Sequence, residues 1–384
     1  MRVLLHSNAP WAGTGYATQT ATFAPLLRED GHEVAISAFY GLGGAIHNWE
    51  GFTVYPAGWD LYGNDILLNH ATDHFGGDLL SGLIVTLVDV WVLSAANMTR
   101  ANVACWTPVD HYPPPPRVLD FLHAYGGFTI AMSRFGQSAL AEQGIEAYYV
   151  PHGVNTEVFS PQPRDEARER LGLPQEAFIC SMVAANKGYP PRKAFPEVVR
   201  AFKRFSETHS DAILHFHTEV NGTIEGVNIP RLLEVEGIPI EKVRFVDQYR
   251  YHVGLPPEVV RDVYAASDVL LNPSYSEGFG IPIIEAQACG TPVIANDSTA
   301  MPELVGAGWL VEGQDFWSQQ GSYIRVPSVD GLVDALEKAY RDGAEMGEQA
   351  REFALAYDAR RVMAEHWRPV LAEIESEIAV PVAA

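Results

Sequence analysis

At 384 residues the chain is too long for one ordinary core, and a prior of about 150 residues per domain favours two. Hydrophobic residues make up 47% and charged residues 19%, which excludes a disordered chain. The balance of 26 basic against 48 acidic residues leaves a net charge of −22, repelling phosphate polymers and anionic membrane and so disfavouring a nucleic-acid partner.

The amino terminus, MRVLLHSNAP, holds an apolar run of only four residues, too short for a signal-peptide core. The longest apolar stretch, 82–93, is broken by Asp89 and falls short of a membrane span. Cys105, Cys180 and Cys289 are far apart and odd in number, so neither a disulfide framework nor a zinc site is expected, and a reducing, cytoplasmic compartment is.

Short apolar runs alternate with helical patterns along the chain. Strands are expected over 3–6, 34–39, 83–88, 103–106, 128–132 and 147–150, with helices over 17–29, 117–125 and 134–143 between them. The rhythm restarts with strands over 177–184, 213–217, 243–246, 269–271 and 292–295, and helices over 195–208, 257–266, 281–289 and 329–341. Strands alternating with helices at this spacing predict parallel sheets covered on both faces. Two such sets predict two doubly wound, Rossmann-like domains, over 1–155 and 156–350. The boundary falls in a segment with three prolines within 151–163 and no periodic apolar pattern. A long helix is expected over 346–378, with Phe353, Tyr357, Met363, Trp367, Val370 and Leu371 as its buried stripe. In open parallel sheets ligands bind at the carboxyl ends of the strands, so the two domains are expected to face each other across a cleft.

The densest motif is SYSEGFGIPIIEAQACGTPV, residues 274–293. A glycine-bearing loop follows a strand, and Pro282 suits the first turn of the next helix, where its missing N–H is not needed. Backbone N–H groups around Gly278 and Gly280 are then free to receive an anion, and Phe279 between them is a further donor-binding candidate. Glu277 precedes the helix and Glu285 lies within it. Carboxylates only accept hydrogen bonds, so hydroxyls are their natural partners: a ribose diol for one, a sugar for the other. Two glutamates at this spacing would mean little alone. The whole pattern resembles the donor-site signature of retaining nucleotide-sugar glycosyltransferases of family 4, which have the GT-B fold.

The segment VPHGVNTEVFSP, 150–161, is similar to the family's interdomain strand, with His152 where asparagine is usual, and 269–274 and 296–305 continue the pattern. The resemblance implies transfer of a hexose from a nucleoside diphosphate with its anomeric configuration kept, and a carboxyl-terminal helix, 351–384, returning to the first domain. It implies a front-face mechanism in which the departing phosphate takes the acceptor's proton.

Asn186-Lys-Gly-Tyr-Pro-Pro-Arg-Lys193 follows the first strand of the second half. By chain position it is similar to the basic pair with which the family holds the diphosphate, making Lys187, Arg192 and Lys193 candidates for donor binding and, as leaving-group charge develops, for catalysis. The alternative is a solvated helix start, and removing either side chain is expected to leave unliganded stability unchanged or higher. Asn8-Ala-Pro-Trp-Ala-Gly13-Thr-Gly15 reads equally as a tight turn or as a loop whose Gly13 and Gly15 approach donor phosphates; Thr18 breaks a dinucleotide fingerprint. A family histidine near 106–112 contacts the transferred sugar, which makes His111 a candidate catalytic residue with Asp110 second. Ser133 matches a frequent family serine and serves equally as a helix cap.

No D-x-D occurs, so no metal ligand pair and no cofactor are expected. UDP, GDP and ADP donors stay open, with the base read from 245–255. NAPWAGTGY and ISAFYGL are similar to segments of glycosyltransferases of actinobacteria and their phages, which leaves small-molecule, glycolipid, protein and modified-DNA-base acceptors open and admits a host cytoplasm. An epimerase or phosphorylase of the same fold, or a non-catalytic nucleotide-sugar binder, is the alternative.

Overall fold

The computed structural model describes residues 1–379 and divides into two compact units. The first comprises Met1–Gly153, Gln319–Ser322 and the chain from Asp358 onward. Its eight strands are β1 (Arg2–Asn8), β2 (Glu33–Tyr40), β3 (His47–Trp49), β4 (Phe52–Tyr55), β5 (Gly82–Leu87), β6 (Val103–Thr107), β7 (Phe128–Ala131) and β8 (Tyr148–Tyr149). They lie in the order β3-β4-β2-β1-β5-β6-β7-β8, all parallel except the β3–β4 pair. Every residue of β5 and β6 is buried, as a parallel sheet covered on both faces requires. Strand order reverses between β1 and β5, so the loops after these strands diverge and leave an opening.

The second unit comprises Val154–Ser318 and Tyr323–Tyr357. Its six-stranded sheet holds β9 (Phe178–Val183), β10 (Ala212–His217), β11 (Val243–Phe245), β12 (Val269–Asn272), β13 (Val293–Asn296) and β14 (Gly308–Val311). The order is β11-β10-β9-β12-β13-β14, all parallel, with the reversal between β9 and β12. An antiparallel hairpin, β15 (Gly313–Trp317) and β16 (Tyr323–Pro327), stands apart from it. The amphipathic helices Phe195–Thr208 and Val329–Asp342 bury Phe195, Phe202, Phe205, Leu332 and Leu336 in a common core. The two doubly wound sheets are those the alternation of strands and helices predicts. Among the described residues no helix is long and apolar enough to cross a membrane.

One expectation needs correction. The tail is not one long helix but Gly347–Ala354, a 3-10 turn over Leu355–Tyr357, Ala359–Val362, a π-helical turn over Met363–Trp367, and Arg368–Ile378. Asp358 causes the break: its side chain accepts from the N–H groups of Arg360 and Arg361, starting a new helix. Phe353 and Tyr357, on the near side, are only half-buried in the second unit. Met363, Trp367, Val370 and Leu371, beyond it, are buried in the first. Trp367 packs edge-on to Phe23 and Trp106, with ring centroids 5.9 and 4.9 Å away. The expected segment's last residues, 380–384, lie outside the described ones.

Candidate functional site

The loops after β9 and β12, which flank the strand-order reversal of the second unit, carry most of the candidate residues. After β9 the chain makes a tight turn: Arg192 N–H donates to Pro190 O and Ala194 N–H to Pro191 O, both at 2.8 Å. Ala194 takes a left-handed conformation (φ +61°) and begins the helix Phe195–Thr208, a strained choice for a residue with a Cβ. Its methyl is buried with Tyr275 and Ile324. The turn is pinned to the loop after β12 by Tyr275 N–H donating to Arg192 O at 2.7 Å.

This juxtaposition brings Glu277 onto the basic pair. Lys193 Nζ donates to its Oε1, and Arg192 Nη1 lies 3.4 Å from its Oε2 while also donating to Ser276 O at 3.1 Å. The Lys193 side chain is 16% exposed, that of Arg192 42%. Burial pushes the Glu277 carboxyl upward, but Lys193 and Arg192 outweigh it and hold the group below its ordinary value. Thr299 Oγ1 accepts from Glu277 N–H at 3.0 Å, and Thr299 itself sits at φ +50°, a rare conformation for a β-branched residue. The basic segment is thus no solvated helix start. Removing Lys193 takes from a buried carboxylate its closer cation and leaves only the 3.4 Å contact with Arg192, so the expectation of unchanged or higher unliganded stability is overturned.

Gly278, Phe279 and Gly280 follow. Phe279 is buried. Gly280 has φ +121°, and a Cβ there would meet Ile283 Cδ1 at 3.1 Å, so glycine is needed for the turn. The helix Ile281–Ala288 starts with Pro282 in its first turn and no side-chain cap, leaving N–H groups open to a ligand. Glu285, on this helix, is buried and accepts from the Tyr264 hydroxyl at 2.8 Å. Burial pushes its carboxyl up to about 7, only partly opposed by that hydrogen bond.

Lys187 pairs by a single backbone bridge with Ile224. The preceding Asn186 is the brace: its Nδ2 donates to Glu219 O and Val227 O at 2.8 and 2.7 Å, and its Oδ1 accepts from Val227 N–H at 2.8 Å. Within 245–255 lies a short helix, Gln248–Val253. Gln248 bridges to Val220 N–H and to Thr218 O, Tyr251 packs edge-on to His217, and Tyr249 and Val253 are exposed.

In the first unit, Thr14 caps the helix Gly15–Glu29 by accepting from Ala17 N–H at 3.1 Å, and Asn8 Nδ2 donates to the same hydroxyl at 2.6 Å. A Cβ at Gly13 would meet nothing within 4 Å, so no protein neighbour requires glycine there. His111 is buried, its Nδ1 2.7 Å from Asp110 Oδ1. A carboxylate can only accept, so Nδ1 carries the proton and Nε2 is the nitrogen left for other chemistry. Ser133 is a cap: its Oγ accepts from Gly136 N–H at 3.0 Å. His152 lies buried against Trp106, and burial lowers its pKa to about 3.

Sequence reasoning missed Tyr264, Thr299, Asn186 and Gln248. Tyr264 reads as an ordinary core position of an amphipathic helix, and the others are polar residues of loops or, for Gln248, of a short helix start, whose partners are distant in sequence. Among the described residues no group of three or more His, Cys, Asp or Glu side chains could hold a metal ion.

Comparison with known proteins places the same region in focus. The profile of the family described as "Glycosyl transferases group 1" matches residues 163–355. A D-inositol 3-phosphate glycosyltransferase of Mycolicibacterium smegmatis is 31% identical over 224 residues, covering 56% of this chain and 46% of that protein. A second relative of the same name, from Catenulispora acidiphila, is 33% identical over 217 residues, 53% of this chain and 45% of its own length. The chain thus spans under half of the curated relatives it matches. Sucrose-phosphate synthase from Thermosynechococcus elongatus superposes with a TM-score of 0.75 at 19% identity, covering 97% of this chain and 100% of that one. Anabaena Alr3699/HepE, solved with UDP-glucose, gives 0.72 at 15% identity over 97% and 100%. At these identities the superpositions establish the two-sheet GT-B fold.

Proposed function

The chain belongs to the group 1 glycosyl transferases, and from that premise we propose that it is a retaining, metal-independent glycosyltransferase, moving a hexose from a nucleoside-diphosphate sugar to a hydroxyl acceptor. The observation that carries this reading is the pinning of Lys193 and Arg192 onto buried Glu277 beside an uncapped helix start. Fixed cations there suit the two phosphates, with Lys187 the third candidate. The N–H groups of Gly278, Phe279 and Gly280 add donors, Glu285 accepts the ribose hydroxyls, and Glu277 accepts from the sugar. By family resemblance, Gly13 and Gly15 are the first unit's candidates for the donor phosphates and His111, held by Asp110, its candidate for the transferred sugar.

In the proposed reaction the bond from the anomeric carbon to the phosphate oxygen breaks, the acceptor oxygen bonds to that carbon from the same face, and the acceptor's proton passes to the departing diphosphate. Arg192 and Lys193 steady the charge that the leaving group gains, which lowers the barrier because their attraction is stronger in the transition state.

Thermal shift with UDP, GDP and ADP tests the donor half, since a ligand bound to the native state raises the midpoint. One nucleotide is expected to do so; failure of all three at millimolar concentration counts against the reading. An epimerase, a phosphorylase or a non-catalytic binder would show no dependence of nucleotide release on a hydroxyl acceptor. The relatives named for D-inositol 3-phosphate raise a phosphorylated acceptor as a second possibility.

A further inference from the structure

The turn after β9 and the loop after β12 meet at one side chain. Tyr275 is buried, 5% exposed, and meets the strained turn at three points. Its N–H donates to Arg192 O at 2.7 Å, its ring is buried with the methyl of Ala194, and its hydroxyl donates to Glu197 Oε1 at 3.1 Å. Residues 192, 194 and 197 lie before, at and after the left-handed position, so the tyrosine clasps the turn from both sides.

Tyr275 is itself anchored. Its carbonyl accepts from Arg325 N–H of β16 and from Ser298 Oγ, each at 3.1 Å. Asn296 Nδ2 donates to Ser274 O and to Arg325 O at 3.0 and 2.6 Å, bracing the preceding residue against the same hairpin. The turn after β9, the helix Phe195–Thr208, the loop after β13 and the hairpin thus converge on one residue, all within the second unit.

A left-handed residue bearing a Cβ persists only where its surroundings over-determine it. The Glu197 contact is the part of that support which a side chain of the same shape without a hydroxyl could not give. The Glu197 carboxyl is buried in the first turn of its helix, and burial pushes its pKa upward against the hydrogen bond from Tyr275. Its Oε2 has no hydrogen-bond partner among the described residues, so a buried acceptor depends on the phenol. What the clasp fixes is the direction of Arg192 and Lys193, which lie inside the turn. Lys193 Nζ reaches Glu277, two positions beyond the tyrosine, so both ends of that ion pair stand next to Tyr275 in the chain fold. Charges that must meet a developing phosphate lose rate steeply when they are misplaced.

We propose that Tyr275 is a positioning residue for sugar transfer: its hydroxyl on Glu197 and its ring beside Ala194 hold the strained turn, and the turn holds Arg192 and Lys193 for the leaving diphosphate. Tyr275 acts through these neighbours and not by touching the substrate. That the reaction is sugar transfer rests on the function proposed above; the clasp on the turn does not.

Two substitutions test it. Tyr275→Phe removes the hydroxyl and keeps the ring, and Ala194→Gly removes the strain, because glycine adopts a φ of +61° freely. The full chain is prepared with each change and with both. Single-turnover transfer is measured with UDP-glucose as donor and D-inositol 3-phosphate as acceptor, affinity is measured with UDP, and the crystal structure of Tyr275→Phe is determined. Tyr275→Phe is expected to slow transfer about tenfold or more while UDP affinity changes by less than about threefold. Ala194→Gly is expected to restore most of that rate in the Tyr275→Phe background, which a tyrosine serving only as core filling would not allow. In the crystal structure the turn is expected to have left its left-handed angles or Lys193 to have left Glu277. Should Tyr275→Phe not fold, Glu197→Leu breaks the same bond from its other end and carries the same expectations. Undiminished transfer, a loss seen wholly in UDP affinity, or a loss that Ala194→Gly does not relieve would overturn the proposal. A parent with no acceptor-dependent release of UDP would count against the glycosyltransferase reading alone. The crystal structure then decides the clasp, and an unchanged turn with Lys193 still on Glu277 overturns it.

Discussion

The hydroxyl of Tyr264 points at Oε2 of Glu285 across 2.8 Å, and both side chains are shut away from water. A single hydroxyl does not replace the hydration of a carboxylate, and burial accordingly raises the Glu285 carboxyl to about 7. A vacant acceptor position remains on the carboxylate for which a ribose diol is a fitting partner.

Glu285→Gln is expected to separate stability from binding. A carboxyl whose folded pKa lies above its unfolded value contributes stability that is complete below about pH 4.5 and lost as pH rises through about 7. The parent therefore forfeits about 3 kcal/mol in unliganded stability by pH 8, and the amide does not. The variant should melt higher than the parent at pH 8, yet bind nucleoside diphosphate roughly tenfold more weakly, the loss of one charged hydrogen bond. Equal affinity for the ribonucleotide in parent and variant would refute the ribose assignment.

Lys193→Met should lower unliganded stability, by at most about 3–5 kcal/mol, because it leaves buried Glu277 with only the 3.4 Å contact to the more exposed Arg192. The Glu277→Gln/Lys193→Met double variant should recover most of that loss but not sugar transfer. Denaturant melts of the two singles and the double complete the cycle. Additive losses would mean that the two side chains are not coupled.

Acid should weaken the first unit before most carboxylates titrate. His6 Nε2 donates to the Tyr62 carbonyl, so its Nδ1 accepts from Ser37 Oγ, which in turn accepts from His70 Nδ1, each at 3.0 Å. Both imidazoles are held neutral by burial, with pKa values lowered to about 4. A depressed histidine contributes stability that is whole above pH 6.5 and lost as pH falls toward 4, about 3 kcal/mol for His6. His6→Leu should be less stable than the parent at pH 7 and show a flatter decline to pH 5. A parent whose melting temperature is level from pH 7 to pH 5 would contradict the relay.

Transfer should proceed unchanged in EDTA, because the chain carries no D-x-D and the proposed charge stabilisation comes from Arg192 and Lys193. Activity lost to the chelator and restored by manganese or magnesium would overturn the mechanism.

Much of this was legible in the sequence because the buried strands are nearly unbroken apolar runs, as ILHF in β10 and VLL in β12 show. Strands β3, β4, β14, β15 and β16 escaped notice: they are short, and HNW and GQDFW read as turn material. The break at Asp358 left a readable sign, a capping residue ahead of Ala-Arg-Arg, overridden by the apolar stripe on both sides. At the site, the glycine loop, both glutamates and the basic pair could be found by type and spacing. That Lys193 and Glu277 would grip each other could not, since 84 positions separate them and only the adjacency of β9 and β12 closes that distance.

The placement of Trp367 bears on how the protein is made. Its ring completes the packing around Phe23 and Trp106, yet it leaves the ribosome about two hundred residues after the rest of that core. At about 5–20 residues per second the first unit waits on the order of ten to forty seconds with that flank open. In the interval the whole second unit, Val154–Ser318 and Tyr323–Tyr357, is synthesised. A segment made some two hundred residues later thus finishes the first unit, and a ribosome that stops before Trp367 releases a protein whose first unit is unfinished.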